Sequence, residues 1–153
     1  MDGNTAPAGH RLRKGRVSEA GRIYLVTMVC HDRRPLFSRF TDGRLAVHSL
    51  QATHSLCDTL CFVVMPDHVH WMLQLQDGAV LSRCAQKAKS LTTRALRAQY
   101  SDLGCLWQSG FHDRALRRDE DVRGVARYVI GNPLRAGLVE HIGDYPLWDA
   151  VWL

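Results

Sequence analysis

Two histidines flanking one valine, His68-Val69-His70, and a tyrosine with an asparagine four residues on, Tyr128 and Asn132, are the side chains of this 153-residue chain best suited to chemistry. On an extended segment, alternate residues share a face. His68 and His70 therefore point to one side and Val69 to the other, and two neutral imidazoles so placed can hold a single divalent cation. Two nitrogens leave such a cation undercoordinated, so an oxygen donor and the substrate must complete its shell. The same spacing also fits an ordinary pair of half-exposed strand histidines. A phenol becomes a nucleophile once deprotonated, and with an ordinary pKa of about 10 it needs a base, a cation or a local positive field to lose its proton.

The surrounding pattern supplies elements to position these groups. Ile23–Cys30 is β-branched and aromatic enough for a strand, closed by the polar turn 31–35. A helix is expected from Gly43 to about Leu56 with Asp42 as its N-cap. Two apolar runs, Thr59–Met65 and Val69–Leu75, are joined by Pro66-Asp67 and read as an antiparallel hairpin that carries the histidine pair at its turn. From Leu81 to Ala98, apolar residues recur at helical spacing, and Arg83, Lys87, Arg94 and Arg97 form a cationic stripe on the opposite face. That stripe could track a phosphate backbone or simply be a solvated face. A strand over Phe111–Arg117 follows, then a helix opened by Asp119, Glu120 and Asp121 and limited by Pro133 to about Asn132. On it, Val122, Val125, Ala126, Val129 and Ile130 define a buried stripe, and Tyr128 points roughly 130° away from its centre, with Asn132 on nearly the same face. A phenol and a carboxamide are thus presented together, off the core side. A surface tyrosine followed by an asparagine cap has the same pattern. The element order, strand-helix-strand-strand-helix-strand plus a last helix, is that of an α+β, ferredoxin-like split βαβ domain: an antiparallel sheet with helices on one face and a C-terminal helix carrying the tyrosine.

Composition sets the class. With 46% hydrophobic and 23% charged residues, the chain supports one domain over residues 21–153, preceded by an arm at 1–20 whose basic cluster includes Arg11, Arg13 and Lys14. A formal charge of +5 favours polyanionic partners. Five cysteines without a CxxC pair read as buried, reduced thiols. No segment looks like a signal peptide or membrane span, so a cytoplasmic protein with no membrane partner is expected.

Four ordered blocks connect these residues to a known family: Gly21–Phe37 with Arg33-Arg34-Pro35-Leu36-Phe37; Met65-Pro66-Asp67-His68-Val69-His70; Leu106-Trp107-Gln108 with Gly110-Phe111; and Tyr128-Val-Ile-Gly-Asn132-Pro133-Leu-Arg135-Ala-Gly137-Leu-Val139. Over about residues 21–148 the chain resembles the single-tyrosine HUH transposases (IS200-like), especially the REP-associated tyrosine transposases. The resemblance implies that His68, His70 and Asn132 hold Mg²⁺ or Mn²⁺ and that Tyr128 attacks a phosphodiester of single-stranded DNA, leaving a 5′-phosphotyrosine and a free 3′-hydroxyl. It also implies hairpin DNA as substrate and either a monomer or a homodimer. Two departures stand out. Gly131 occupies a position where the family usually carries a larger residue, and the ending after Tyr145-Pro146-Leu147-Trp148 differs from that of many relatives.

Three other readings compete. A histidine-triad nucleotide hydrolase would need a third histidine where Met72 stands. A structural zinc site using His54, Cys57, Cys61 and a strand histidine lacks the usual ligand spacing. A domesticated, non-cleaving nucleic-acid-binding regulator would keep the fold and the DNA groove, and would bind DNA without any covalent adduct.

Overall fold

In the computed structural model, which describes Glu19 and residues 21–153, five strands form one sheet. They are β1 (Ile23–Val29), β2 (Cys57–Met65), β3 (His68–Leu75), β4 (His112–Ala115) and β5 (Trp148–Ala150). Their spatial order is β4-β1-β3-β2-β5, and every neighbouring pair is antiparallel. Helices α1 (Phe40–Gln51) and α2 (Leu81–Gln99) make the two crossovers, while α3 (Val122–Ile130) and the short α4 (Asn132–Arg135) follow β4. The first six elements realise the split βαβ plan. The fifth strand is additional; three residues are too few to leave an alternating pattern in the sequence.

Alternation along the strands separates two cores. Val26, Met28, Val69, Trp71 and Val64 pack against Ala46, Val47 and Leu50 of α1 and Cys84, Ala85 and Ala88 of α2. Cys61, Val63, Met65 and Met72 face the other way and are covered by Val125, Ala126 and Val129 of α3. The helix that carries Tyr128 therefore takes the opposite side of the sheet from α1 and α2. Its apolar stripe makes this favourable, since burying one valine side chain contributes about 1.5–3 kcal/mol.

Several expected boundaries move. α1 begins at Phe40, and Asp42 is not its N-cap; Arg39 holds that position without a side-chain capping bond. Asp42 lies buried in the first turn, where its carboxylate accepts the Tyr100 hydroxyl at 3.0 and 2.9 Å. This tertiary hydrogen bond at the C-cap of α2 takes the role assigned to local capping. β4 is four residues long because Phe111 turns into the core before it. Of the five free cysteines, Cys30, Cys57, Cys61 and Cys84 are buried but Cys105 is exposed, because the loop that carries it runs over the surface. Burial pushes the Cys30 and Cys61 thiols up to about 12. A register shift between Thr59 and Cys61 sends Cys57 and Cys61 into different cores, which removes them as partners at one zinc.

Candidate active site

The hairpin turn sets where the histidines stand. Met65 pairs with His68 across the two-residue Pro66-Asp67 connection, and β1 lies on the other side of β3, placing Val29 opposite His68 and Thr27 opposite His70. Both imidazoles consequently face the α3 side, and their Nε2 atoms converge to 3.2 Å with the rings nearly perpendicular, at 84°. Each outer nitrogen is held by a neighbour. His68 Nδ1 lies 2.6 Å from a carboxylate oxygen of Asp67, and His70 Nδ1 lies 3.0 Å from the Thr27 hydroxyl. With the ring protons on those Nδ1 atoms, both Nε2 lone pairs are offered to one point, the usual way in which outer partners orient metal-binding imidazoles.

Charge around the pair favours this state. Burial, then the proximity of His68, Arg135 and Arg33, pushes His70 down to about 4, so the ring is neutral and ready to act as a ligand. Partial burial works against ionisation of Asp67, but hydrogen bonds from His68 and Arg33 outweigh it and hold the carboxyl below its ordinary value. Arg33 reaches Asp67 at 3.2 Å from a turn in which Asp32 (φ 54°) and Arg33 (φ 51°) are both left-handed. Non-glycine residues adopt that conformation at a cost that surrounding contacts must offset. Here, the Cys30 N–H donates to the Asp67 carbonyl at 2.9 Å and the Phe37 N–H to the Pro66 carbonyl at 2.9 Å, strapping the turn to the hairpin.

Asp121 caps α3, its carboxylate accepting the Gly124 N–H at 3.0 Å. The helix buries Ala126 and Val129, leaving Tyr128 67% exposed, as its position off the stripe requires. α3 ends at Ile130, and Asn132 begins α4 instead of ending the same helix. The Asn132 amide nitrogen donates to the Val129 carbonyl at 2.8 Å, and its oxygen accepts no hydrogen bond from the described residues. Two nitrogens aimed at one point suit a borderline divalent cation, and the Asn132 carboxamide stands at the start of the segment that follows α3. Groups of three or more His, Cys, Asp or Glu able to hold a metal do not occur among the described residues.

The cationic stripe divides. Arg94 and Arg97 line a cleft of about 820 Å³ between α2 and Trp107, on the α1 and α2 side, while Arg83 and Lys87 lie outside it. Arg97 also donates to the Gly104 carbonyl at 2.8 Å. Arg11, Arg13, Lys14 and the rest of the basic arm lie outside the described residues. Of the aromatic rings able to stack on bases, Trp71 and Phe111 are buried in the core, whereas Trp107, Trp148 and Trp152 are half-buried. Thr27 and Arg135 escape sequence reasoning because each owes its place to a register or a turn; Asp67 had the weak signal of adjacency to His68.

Comparisons with known proteins bear on the family and the fold. The model of the family described as "Transposase IS200 like" matches residues 20–132, a span that contains the histidine pair, Tyr128 and Asn132. A Haemophilus influenzae protein, provisionally described as a REP-associated tyrosine transposase, is 27% identical over 139 residues, covering 82% of this chain and 78% of its own. The REP-associated tyrosine transposase of Escherichia coli is 31% identical over 87 residues, 56% of this chain and 49% of its own. Among solved structures, a REP-associated tyrosine transposase bound to a REP hairpin superposes with a TM-score of 0.73 at 23% identity, covering 87% of this chain and 79% of that one. No helix among the described residues is long and apolar enough to cross a membrane. With a fold of that class and a family match spanning the whole candidate site, the chain belongs to the IS200-like transposases.

Proposed function

We propose that this chain is a single-tyrosine nuclease and strand transferase that cuts and rejoins single-stranded DNA, at hairpins of the kind bound by its structural relative. The observation that carries this reading is the convergence of the His68 and His70 Nε2 atoms at 3.2 Å on the sheet face covered by the helix that exposes Tyr128. His68, His70 and the Asn132 oxygen would hold Mg²⁺ or Mn²⁺, which when bound polarises the scissile phosphate and offsets charge building on its oxygens. Asp67 and Thr27 keep the two rings oriented, so the site loses little to reorganisation when DNA arrives. Tyr128 attacks phosphorus through its phenol oxygen. The new O–P bond replaces the bond to the 3′ oxygen, which leaves as a hydroxyl, and the DNA 5′ end stays on the enzyme as a phosphotyrosine. Attack by a 3′-hydroxyl on that ester reverses the step and returns Tyr128. Retaining the phosphoryl bond suits joining, whereas simple hydrolysis would need a positioned water. The presence of both imidazoles and the tyrosine helix on one face of the same chain supports a site assembled within a monomer.

Incubation with labelled single-stranded hairpin DNA and Mg²⁺ or Mn²⁺ is expected to give a denaturation-resistant protein–DNA adduct, lost with chelator and in Tyr128→Phe. Tight hairpin binding with no adduct under any of these conditions would instead identify a DNA-binding regulator that does not cut.

A further inference from the structure

We infer that Arg135 is the residue that positions the Tyr128 nucleophile, and that glycine at position 131 is what makes room for it. The inference rests on the nuclease reading above. Gly131 (φ −72°, ψ −1°) links α3 to α4, and the turn brings Arg135 back over Tyr128. The guanidinium carbon lies 3.8 Å from the Tyr128 ring centroid, and Nη2 donates to the Tyr128 carbonyl at 2.6 Å. One side chain thus grips both the ring face and the backbone of the nucleophile. Behind Arg135 the chain is closed by a paired cap: the Gly137 N–H donates to the Leu134 carbonyl at 3.0 Å and the Leu138 N–H to the Pro133 carbonyl at 2.9 Å, with Gly137 left-handed at φ 75°. The base from which Arg135 reaches Tyr128 is therefore fixed.

The backbone at Gly131 is ordinary right-handed helix, so no conformational demand explains the glycine. Space does. A Cβ at 131 would stand 2.8 Å from Arg135 Nη1, while the Arg127 and Tyr128 carbonyl oxygens would remain at 3.4 Å. A methyl group there displaces the flexible end of Arg135 and leaves the helix where it is.

The chemistry gives this contact a purpose. An exposed tyrosine samples several rotamers, and fixing one of them before DNA binds removes that cost from the reaction. A cation over the ring face is attracted to the phenol and more strongly to the phenolate that forms as attack proceeds. Arg135 acts through Tyr128 and is a positioning residue.

Single-turnover adduct formation at saturating hairpin, with hairpin affinity measured separately, tests the inference. Arg135→Gln is expected to slow the adduct about 10- to 100-fold without weakening binding, and Arg135→Lys to recover part of the rate. Gly131→Ala, with Arg135 intact, should approach the Arg135→Gln rate, and the double variant should be no slower than Arg135→Gln alone, because both changes remove one contact. In DNA-free protein, the Arg135 side-chain protons should show an upfield ring-current shift that disappears in Tyr128→Leu and in Gly131→Ala. Wild-type rates in these variants, multiplicative effects in the double variant, or a ring-current shift unmoved by Gly131→Ala would overturn the inference alone. A wild-type chain that shows the shift but forms no adduct would overturn the nuclease reading, and the positioning role with it.

Discussion

Which nitrogen a histidine offers depends on what holds the other one, and in this site the holders are Asp67 for His68 and Thr27 for His70. Asp67 is itself steadied by Arg33, but Thr27 bears the orientation of His70 by itself among the described residues, and removing its hydroxyl frees that ring to turn. Thr27→Val keeps the shape and the β-branch of the strand, so its effect isolates the hydrogen bond. The expected result is Mn²⁺ affinity weaker by about 10- to 100-fold, read by titration calorimetry, with the thermal midpoint nearly unchanged. An unchanged affinity would mean that packing alone orients His70. The histidine pair and Tyr128 were legible in the sequence because strand and helix periodicities alone determine which side chains share a face. Thr27 was not, since its pairing with His70 depends on the register of β1 against β3, a contact between residues 43 apart. Arg135 was hidden in another way. Gly131 reads as a weakness in a helix, and only the folded turn between α3 and α4 reveals the space that it leaves for a guanidinium.

Among the elements, the hairpin and the three longer helices announced themselves through periodic apolar residues, whereas features that depend on tertiary contacts did not. Asp42 shows the difference. An acidic residue at the start of an apolar pattern looks like a cap, yet it lies inside α1 and takes the Tyr100 hydroxyl at the far end of α2. This bond ties the first turn of one crossover helix to the last of the other. Tyr100→Phe leaves the buried carboxylate short of a donor and should lower stability by about 1–3 kcal/mol in urea unfolding, while adduct formation, on the far side of the sheet, proceeds at its usual rate. β5 stayed invisible for a simpler reason: with Trp148 half-buried, Asp149 exposed and Ala150 half-buried, it has no run long enough to betray a period.

At the scale of the molecule, the sheet separates two kinds of surface. One side carries the histidines and the tyrosine helix; the other carries the cleft lined by Arg94 and Arg97, with Arg83 outside it. On the proposed reading, cations that neutralise phosphates make the affinity for DNA fall with salt, and the cleft is where that dependence should concentrate. We expect Arg94→Ala to lower the slope of log K against log salt by about one and Arg83→Ala to leave it alone. Equal slopes for both variants would exclude the cleft as a path for the backbone. The arrangement of strands has one more consequence. β3 is the central strand and is paired along its length with both β1 and β2, whereas the outer ladders of β1 and β2 are short, so the two imidazoles sit on the most firmly laddered strand of the sheet. α3 meets that sheet through side chains, and no backbone hydrogen bond from α3 to a strand occurs among the described residues. Local opening follows the weakest attachment. An opening of α3 and α4 therefore carries Tyr128 and Asn132 together, as one hinged hammer, and leaves the two imidazoles on the sheet as a fixed anvil.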